Sequence, residues 1–217
     1  MKSIKLFVAL FICLISQIIH SKDYKGIRIG TDSIISESQF LSKYESQGYK
    51  VIYNKKHCYK KMKNKIYVFE KNISDKDYSK HRLFVVCNVV GKGSLKIITQ
   101  NKDLIYPENS SMACDPSDAF KKIVLHDYDI TIMETSCTKT KGEAVDEYFT
   151  FRFEIDKNQY ILNEYKIIIR QTTIGDEYPI ESLKLPEFNQ INTNNYRAGV
   201  LDEFRKNFPD YIYQIIK

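Results

Sequence analysis

Tyr148-Phe-Thr-Phe-Arg-Phe-Glu-Ile155, then Asp156-Lys-Asn-Gln159, then Tyr160-Ile-Leu-Asn-Glu-Tyr-Lys-Ile-Ile-Ile169 is the stretch that decides the fold class of this chain. In the first run Phe149, Phe151, Phe153 and Ile155 alternate with Tyr148, Thr150, Arg152 and Glu154. That is the period of a half-buried strand, whose successive side chains point to opposite faces. The segment between the runs is short and polar, so they pair as an antiparallel hairpin. Its apolar face needs a core to cover it, and the rest of the chain is read as what packs there.

Working outward, Tyr49–Tyr53, Lys65–Glu70, His81–Val90, Ser94–Thr99, Lys121–Leu125 and Asp129–Met133 read as further short strands. His81–Val90 is unbroken enough to be buried on both faces, Gly91-Lys-Gly93 turns it back into Ser94–Thr99, and Asp127-Tyr128 turns the last pair. Leu104–Tyr106 reads as one more short strand, and Pro107–Phe120 as a long irregular loop. Asn54–Lys65 reads as a polar, strongly basic connection, and 22–32 as little more than an edge strand around Ile27 and Ile29. Ser36-Glu-Ser-Gln39 has the pattern of a capping box, and Phe40, Leu41 and Tyr44 make the stripe of a short helix stopped by Gly48. Thr173–Asn195, with Pro179 and Pro186, reads as a surface connection. Tyr196, Val200, Leu201, Phe204 and Phe208 then recur at helical spacing as far as Pro209. The expectation is a mainly β (α+β) fold: an antiparallel meander or sandwich-like sheet with one short N-terminal and one C-terminal helix. Residues 22–172 form its β domain, and residues 173–217 a connection and helix packed on the same domain.

Met1-Lys-Ser-Ile-Lys5 is basic, Leu6–Ile19 is almost wholly apolar, and His20-Ser21 turns polar. This is the composition of a secretory signal peptide over residues 1–21, too short for the ~20 residues that span a bilayer. Cys13 raises the alternative of a lipidated cysteine, which the bulky Ile12 before it disfavours. The expected location is periplasmic or secreted, and no later segment is apolar enough to be a transmembrane helix. The formal charge of +6 falls to +4 on cleavage, since Lys2 and Lys5 leave and all 27 acidic residues stay. A balance this small does not point to nucleic acid.

Four cysteines remain after such cleavage, Cys58, Cys87, Cys114 and Cys137. An even number in an exported chain reads as two disulfides. Spacing leaves all three pairings open; Cys58 to Cys137 with Cys87 to Cys114 is preferred, because the second bond would tie a strand to the loop after it. No C-x-x-C is present, so neither a zinc ribbon nor a thioredoxin-like redox site is supported. His57, His81 and His126 are too scattered for a metal motif, and no cofactor is expected. Asp115 with Asp118, and Asp127 with Asp129, could serve as a glycosidase-type acid and base if held about 5–9 Å apart, but aspartate is also the ordinary residue of turns. No nucleophile elbow, zinc-protease helix or phosphate loop occurs. The strongest local anomaly is basic: Lys55, Lys56, Tyr59, Lys60, Lys61 and Lys63 are the candidate partner-binding residues. A merely solvated loop is the plain alternative.

Several pieces carry a resemblance: Gly48-Tyr-Lys-Val-Ile52, Ile66-Tyr-Val-Phe-Glu70, Leu83-Phe-Val-Val86, Asn101-Lys-Asp-Leu-Ile105, Cys114-Asp-Pro116 with Phe120, Phe149-Thr-Phe-Arg-Phe153 and Tyr160-Ile-Leu162. In this order they resemble small secreted or periplasmic bacterial proteins related to single FG-GAP or VCBS-type β repeats, over Gly48 to about Ile169. The resemblance implies a β fold and, in the first loop, calcium ligands of spaced Asp and Asn. Here that loop reads His57-Cys-Tyr-Lys-Lys-Met-Lys-Asn64, and lysines cannot replace the oxygen donors a hard cation requires.

No catalytic constellation emerges, so the expected function is non-enzymatic binding by an exported protein. The first form is an inhibitor or immunity-type protein that neutralises a periplasmic toxin or hydrolase. The alternative is binding of an acidic envelope polymer or glycan through the lysine-rich segment.

Overall fold

The protein is seen in a computed structural model that describes residues 33–72, 80–106, 119–137, 143–171, 177–183, 191–197 and 200. The first alternating run becomes β8 (Glu143–Glu154) and the second becomes β9 (Gln159–Gln171), paired antiparallel from Glu143 and Gln171 down to Glu154 and Gln159. Before them lie β1 (Ile34–Ser36), the helix α1 (Glu37–Glu45), β2 (Lys50–Tyr59), β3 (Met62–Asn72), β4 (Lys80–Val90), β5 (Ser94–Asn101), β6 (Phe120–His126) and β7 (Asp129–Cys137), and after them β10 (Glu177–Leu183). The strands form two antiparallel five-stranded sheets. Sheet A has the order β1-β5-β4-β3-β2, and sheet B the order β10-β9-β8-β7-β6. All these residues belong to one compact unit, Asp32–Lys217.

Alternation explains how the sheets stack. Ile66 and Val68 of β3 and Phe84 and Val86 of β4 turn inward to meet Ile130, Ile132, Phe149, Phe151, Phe153 and Leu162 of sheet B in one core. The odd-numbered neighbours on sheet A face the other way and are buried too, because α1 covers them. Phe40 packs 4.9 Å from Tyr67, and Tyr44 stacks 4.3 Å from Phe69, centroid to centroid. Ser36 caps this helix as expected, accepting from the Gln39 N–H at 3.2 Å while the Gln39 carbonyl accepts from the Ser36 N–H at 3.1 Å. Gly48, at φ +82°, supplies the left-handed residue beyond its end. The result is a sandwich with a helix laid on one sheet, mainly β as expected. Among the described residues neither sheet closes into a barrel.

The structure corrects several expectations. Asn54–Lys65 is not a loop: β2 runs to Tyr59, β3 begins at Met62, and Lys60-Lys61 is the turn of a tight hairpin. Of β2 only His57 is buried, with Ile52, Tyr53 and Tyr59 partly covered; Lys55 and Lys56 are exposed on the open edge of sheet A, where charge is a usual defence against strand addition. Ile155 leaves the phenylalanine face, because β8 ends at Glu154 and the side chain is 53% exposed in the turn. Leu104 and Ile105 are buried without forming a strand. Part of the expected surface connection is β10, which tolerates Pro179 because it is an edge strand irregular between Pro179 and Glu181. Ile191, Thr193 and Tyr196 are likewise buried. The Leu162 N–H donates to the Ile191 carbonyl at 2.8 Å and the Thr193 N–H to that of Tyr160 at 2.9 Å, so this segment lines the half of β9 that β10 leaves open.

The disulfide expectation is also corrected where side chains are described: Cys58 and Cys87 are free thiols. Both lie on the face of sheet A turned away from sheet B; Cys114 and the side chain of Cys137, their expected partners, lie outside what is described. One strand, β3, lies between the two free thiols, with Cys58 opposite Lys63 and Cys87 opposite Lys65, so they stand roughly 12 Å apart, beyond disulfide reach. Cys87 is fully buried beneath α1, and burial first, then the Glu37 carboxylate, pushes its thiol up to about 12. Residues 1–21, the 22–32 segment, Cys114, Asp115, Asp118 and the helix expected beyond Val200 lie outside the described residues.

Candidate functional site

The β2–β3 hairpin ends in a turn of unusual chemistry. Lys60 takes φ +49°, and Asp127 in the β6–β7 turn and Asn158 in the β8–β9 turn take the same value. Asp and Asn visit this left-handed region readily; a lysine there costs roughly 1–2 kcal/mol. Aromatic rings offset part of that cost. The Lys60 ammonium lies 5.3 Å from the Tyr59 ring centroid and 5.9 Å from that of Tyr128, and the two tyrosines meet edge to face at 4.7 Å.

A buried polar knot fastens the hairpin to sheet B. The Tyr160 hydroxyl lies 2.9 Å from His57 Nδ1, accepts from the Asn64 amide at 3.0 Å, and touches Met62 Sδ at 3.6 Å, while the Asn88 amide donates to Asn64 Oδ1 at 3.2 Å. The imidazole nitrogen is a better acceptor than the thioether, which leaves the remaining imidazole proton on Nε2. Nε2 is buried with no hydrogen-bond partner. Burial holds His57 below its usual pKa; the nearby Asp127 backbone and the Asp129 carboxylate oppose this and are outweighed. His57 is therefore neutral and structural.

Sheet B brings a second basic strand to the same place. The Tyr53 hydroxyl of β2 donates to the Ile123 carbonyl of β6 at 3.3 Å, Tyr53 meets Phe120 edge to face, and Tyr59 meets Tyr128 just beyond the end of β6. The two strands, each the edge of its sheet, thus lie one over the other and run in the same direction. Lys55, Lys56, Lys60 and Lys61 on one, and Lys121 and Lys122 on the other, are exposed. None of the six forms an ion pair with a described residue, but Lys56, on the α1 side of β2, adds to Lys65 and Tyr67 in holding the Glu37 carboxyl below its usual range. Neither strand carries a carboxylate.

Of the residues chosen from the sequence, Lys55, Lys56, Tyr59, Lys60 and Lys61 are gathered on this edge, and Lys63 is exposed on β3 beside Cys58. Lys50 and Lys65 are engaged elsewhere: Lys50 bridges Glu70 at 3.2 Å, and Lys65 pairs with Glu37. Sequence reasoning missed Lys121 and Lys122. Their only local signal is a Lys-Lys pair opening an apolar strand, and nothing local says that the strand stacks on β2.

Among the described residues, the other candidates do not assemble into a catalytic group. Asp129 receives two hydrogen bonds from Arg152, both 2.9 Å, so Asp127 and Asp129 are not a free acid and base. Glu70 is held below the usual carboxylate range, because hydrogen bonds from buried Arg82 and from Lys50 outweigh the upward push of burial. No group of three potential metal ligands occurs among the described residues. No helix among them is long and apolar enough to cross a membrane. A two-sheet sandwich with one helix-covered face and one lysine-lined edge is the class the geometry defines. No family model, curated protein or solved structure matches the chain.

Proposed function

We propose that the protein is an exported, non-enzymatic binding module that engages an anionic partner through the lysines of the β2–β3 hairpin. The observation that carries this reading is a hairpin whose exposed cations face no carboxylate of their own strand or of the strand stacked beneath it. Export is supported by the basic start and the apolar Leu6–Ile19. An acidic envelope polymer or glycan is the partner that fits best. Every cation on β2, β6 and the hairpin turn is lysine and none is arginine, and lysine meets anions as a hydrated point charge, whereas stereospecific protein interfaces favour arginine and deplete lysine. The second reading, an inhibitor or immunity-type protein bound to an acidic toxin or hydrolase, is favoured by the same exposed lysines, which no carboxylate of β2 or β6 neutralises. Pull-down from extracellular and envelope extracts with the mature chain, Lys22–Lys217, tests the proposal against a Lys60→Glu, Lys61→Glu, Lys63→Glu variant. The wild-type chain retains an anionic polymer or an acidic protein and the variant releases it; equal retention by both overturns the proposal.

A further inference from the structure

We infer that β6 completes this site, and that the surface formed by the stacked β2 and β6 edges binds one linear polyanion lying along the strands. The inference rests on the proposed reading of the hairpin and extends it to residues about sixty positions away in the chain. Geometry carries it. The Tyr53 to Ile123 hydrogen bond and the Tyr59–Tyr128 contact hold the two edges in register over most of their length. Ten residues of β2 extend for about 30 Å, and stacked sheets lie about 10 Å apart. The basic surface is therefore long and narrow, a shape that suits a single extended chain better than a compact anion or a flat membrane.

The charge distribution agrees. Lys55 stands midway along the upper row on the face turned toward sheet B, with Lys56 on the opposite face near Glu37; Lys60 and Lys61 stand at the end of the row, and Lys121 and Lys122 near the start of the lower row. Asp127, the first carboxylate after β6, lies in the turn beside His126, 3.6 Å from its imidazole, and bounds the surface at that end. Each ammonium released from its own hydration and counterions by a polymer charge adds a salt-sensitive increment of affinity, and no pocket is needed. The register also explains why β6 opens with two lysines. Lys121 sits at an irregularity between Phe120 and Lys122, which leaves both side chains exposed while Ile123 turns into the core.

The test is titration of the full-length chain with size-fractionated linear polyphosphate, alongside poly-L-glutamate and phosphatidylglycerol vesicles, at several salt concentrations. Polyphosphate long enough to follow the edge binds at least tenfold more tightly than short fragments. Lys121→Glu with Lys122→Glu then weakens binding by about tenfold or more and lowers the salt slope by about 1 per contacting lysine lost. The milder Lys121→Gln, Lys122→Gln pair gives an intermediate loss, and Lys92→Glu, in the β4–β5 turn away from this edge, changes nothing. Loss with Lys60→Glu and Lys61→Glu but not with the β6 pair leaves the hairpin reading standing and overturns the two-strand surface. No loss with either pair overturns both. Short fragments binding as tightly as long ones remove the linear-polymer class, and tighter binding to poly-L-glutamate or to vesicles replaces it with an acidic protein segment or a lipid surface.

Discussion

The β8–β9 and β2–β3 hairpins are built on the same pairing rules and differ in where they sit. β8 and β9 are inner strands of sheet B, and their inward residues Phe149, Phe151, Phe153, Tyr160 and Leu162 are all nearly or fully buried. β2 is the outermost strand of sheet A, and of its ten residues only His57 is buried. An inner strand must present a continuous apolar face to the opposite sheet. An edge strand needs only enough contacts to stay attached, and is free to carry lysine on the rest. The first hairpin therefore supplies stability, and the second a surface that can be given to a partner.

The sharpest way to break this contrast is to cut each hairpin at its attachment. Phe151→Ala removes a fully buried ring and should cost about 3–5 kcal/mol, read as a fall in the urea midpoint at unchanged slope. A loss below 1 kcal/mol would place the core elsewhere. The hairpin β2–β3 depends instead on neutral His57. Because burial lowers its pKa in the folded state, the unfolded chain binds the proton more readily. Stability is complete above the unfolded value of about 6.5 and declines as pH falls from there toward the lowered folded value, by about 1.4 kcal/mol for each unit between the two. His81, held low chiefly by burial and then by Lys102 and Lys71, acts in the same direction. His57→Gln should flatten this decline in thermal midpoints measured from about pH 8 to pH 5, and an unaltered profile would remove His57 from the account. The smallest effect belongs to the turn. Lys60→Asn relieves the positive φ and should raise stability by a few tenths to about 1 kcal/mol in the same urea assay, while loss of stability would mean that the Tyr59 and Tyr128 contacts outweigh the strain.

Much of the fold was legible because one-sided burial leaves a period-2 trace. β8, β9 and β7 show it, and the unbroken run in β4 announced burial on both faces, which α1 and sheet B supply. The capping box at Ser36 was equally readable, since its hydrogen bonds span three residues. The misses have physical causes. β2 is polar on most of both faces, so its pattern resembles a loop. β10 contains a proline that an edge strand accepts. Ile191 and Tyr196 are buried by contacts with β9 and β8, which no local pattern records. The cysteine count suggested pairing, but pairing depends on which face of which strand each thiol occupies, and Cys58 and Cys87 lie two strands apart on the outer face of sheet A.

The sequence by itself determined that this is a mainly β protein with a capped helix ahead of it and a basic segment in its first half. Those properties reside in spacings of two to four residues, where side-chain direction follows from the backbone alone. Only the tertiary structure decided that the basic segment is a strand, that it is an edge, and that Lys121 and Lys122 lie beneath it. Sheet order and sheet stacking arise from pairings between residues far apart in the chain, and those depend on how the whole core closes.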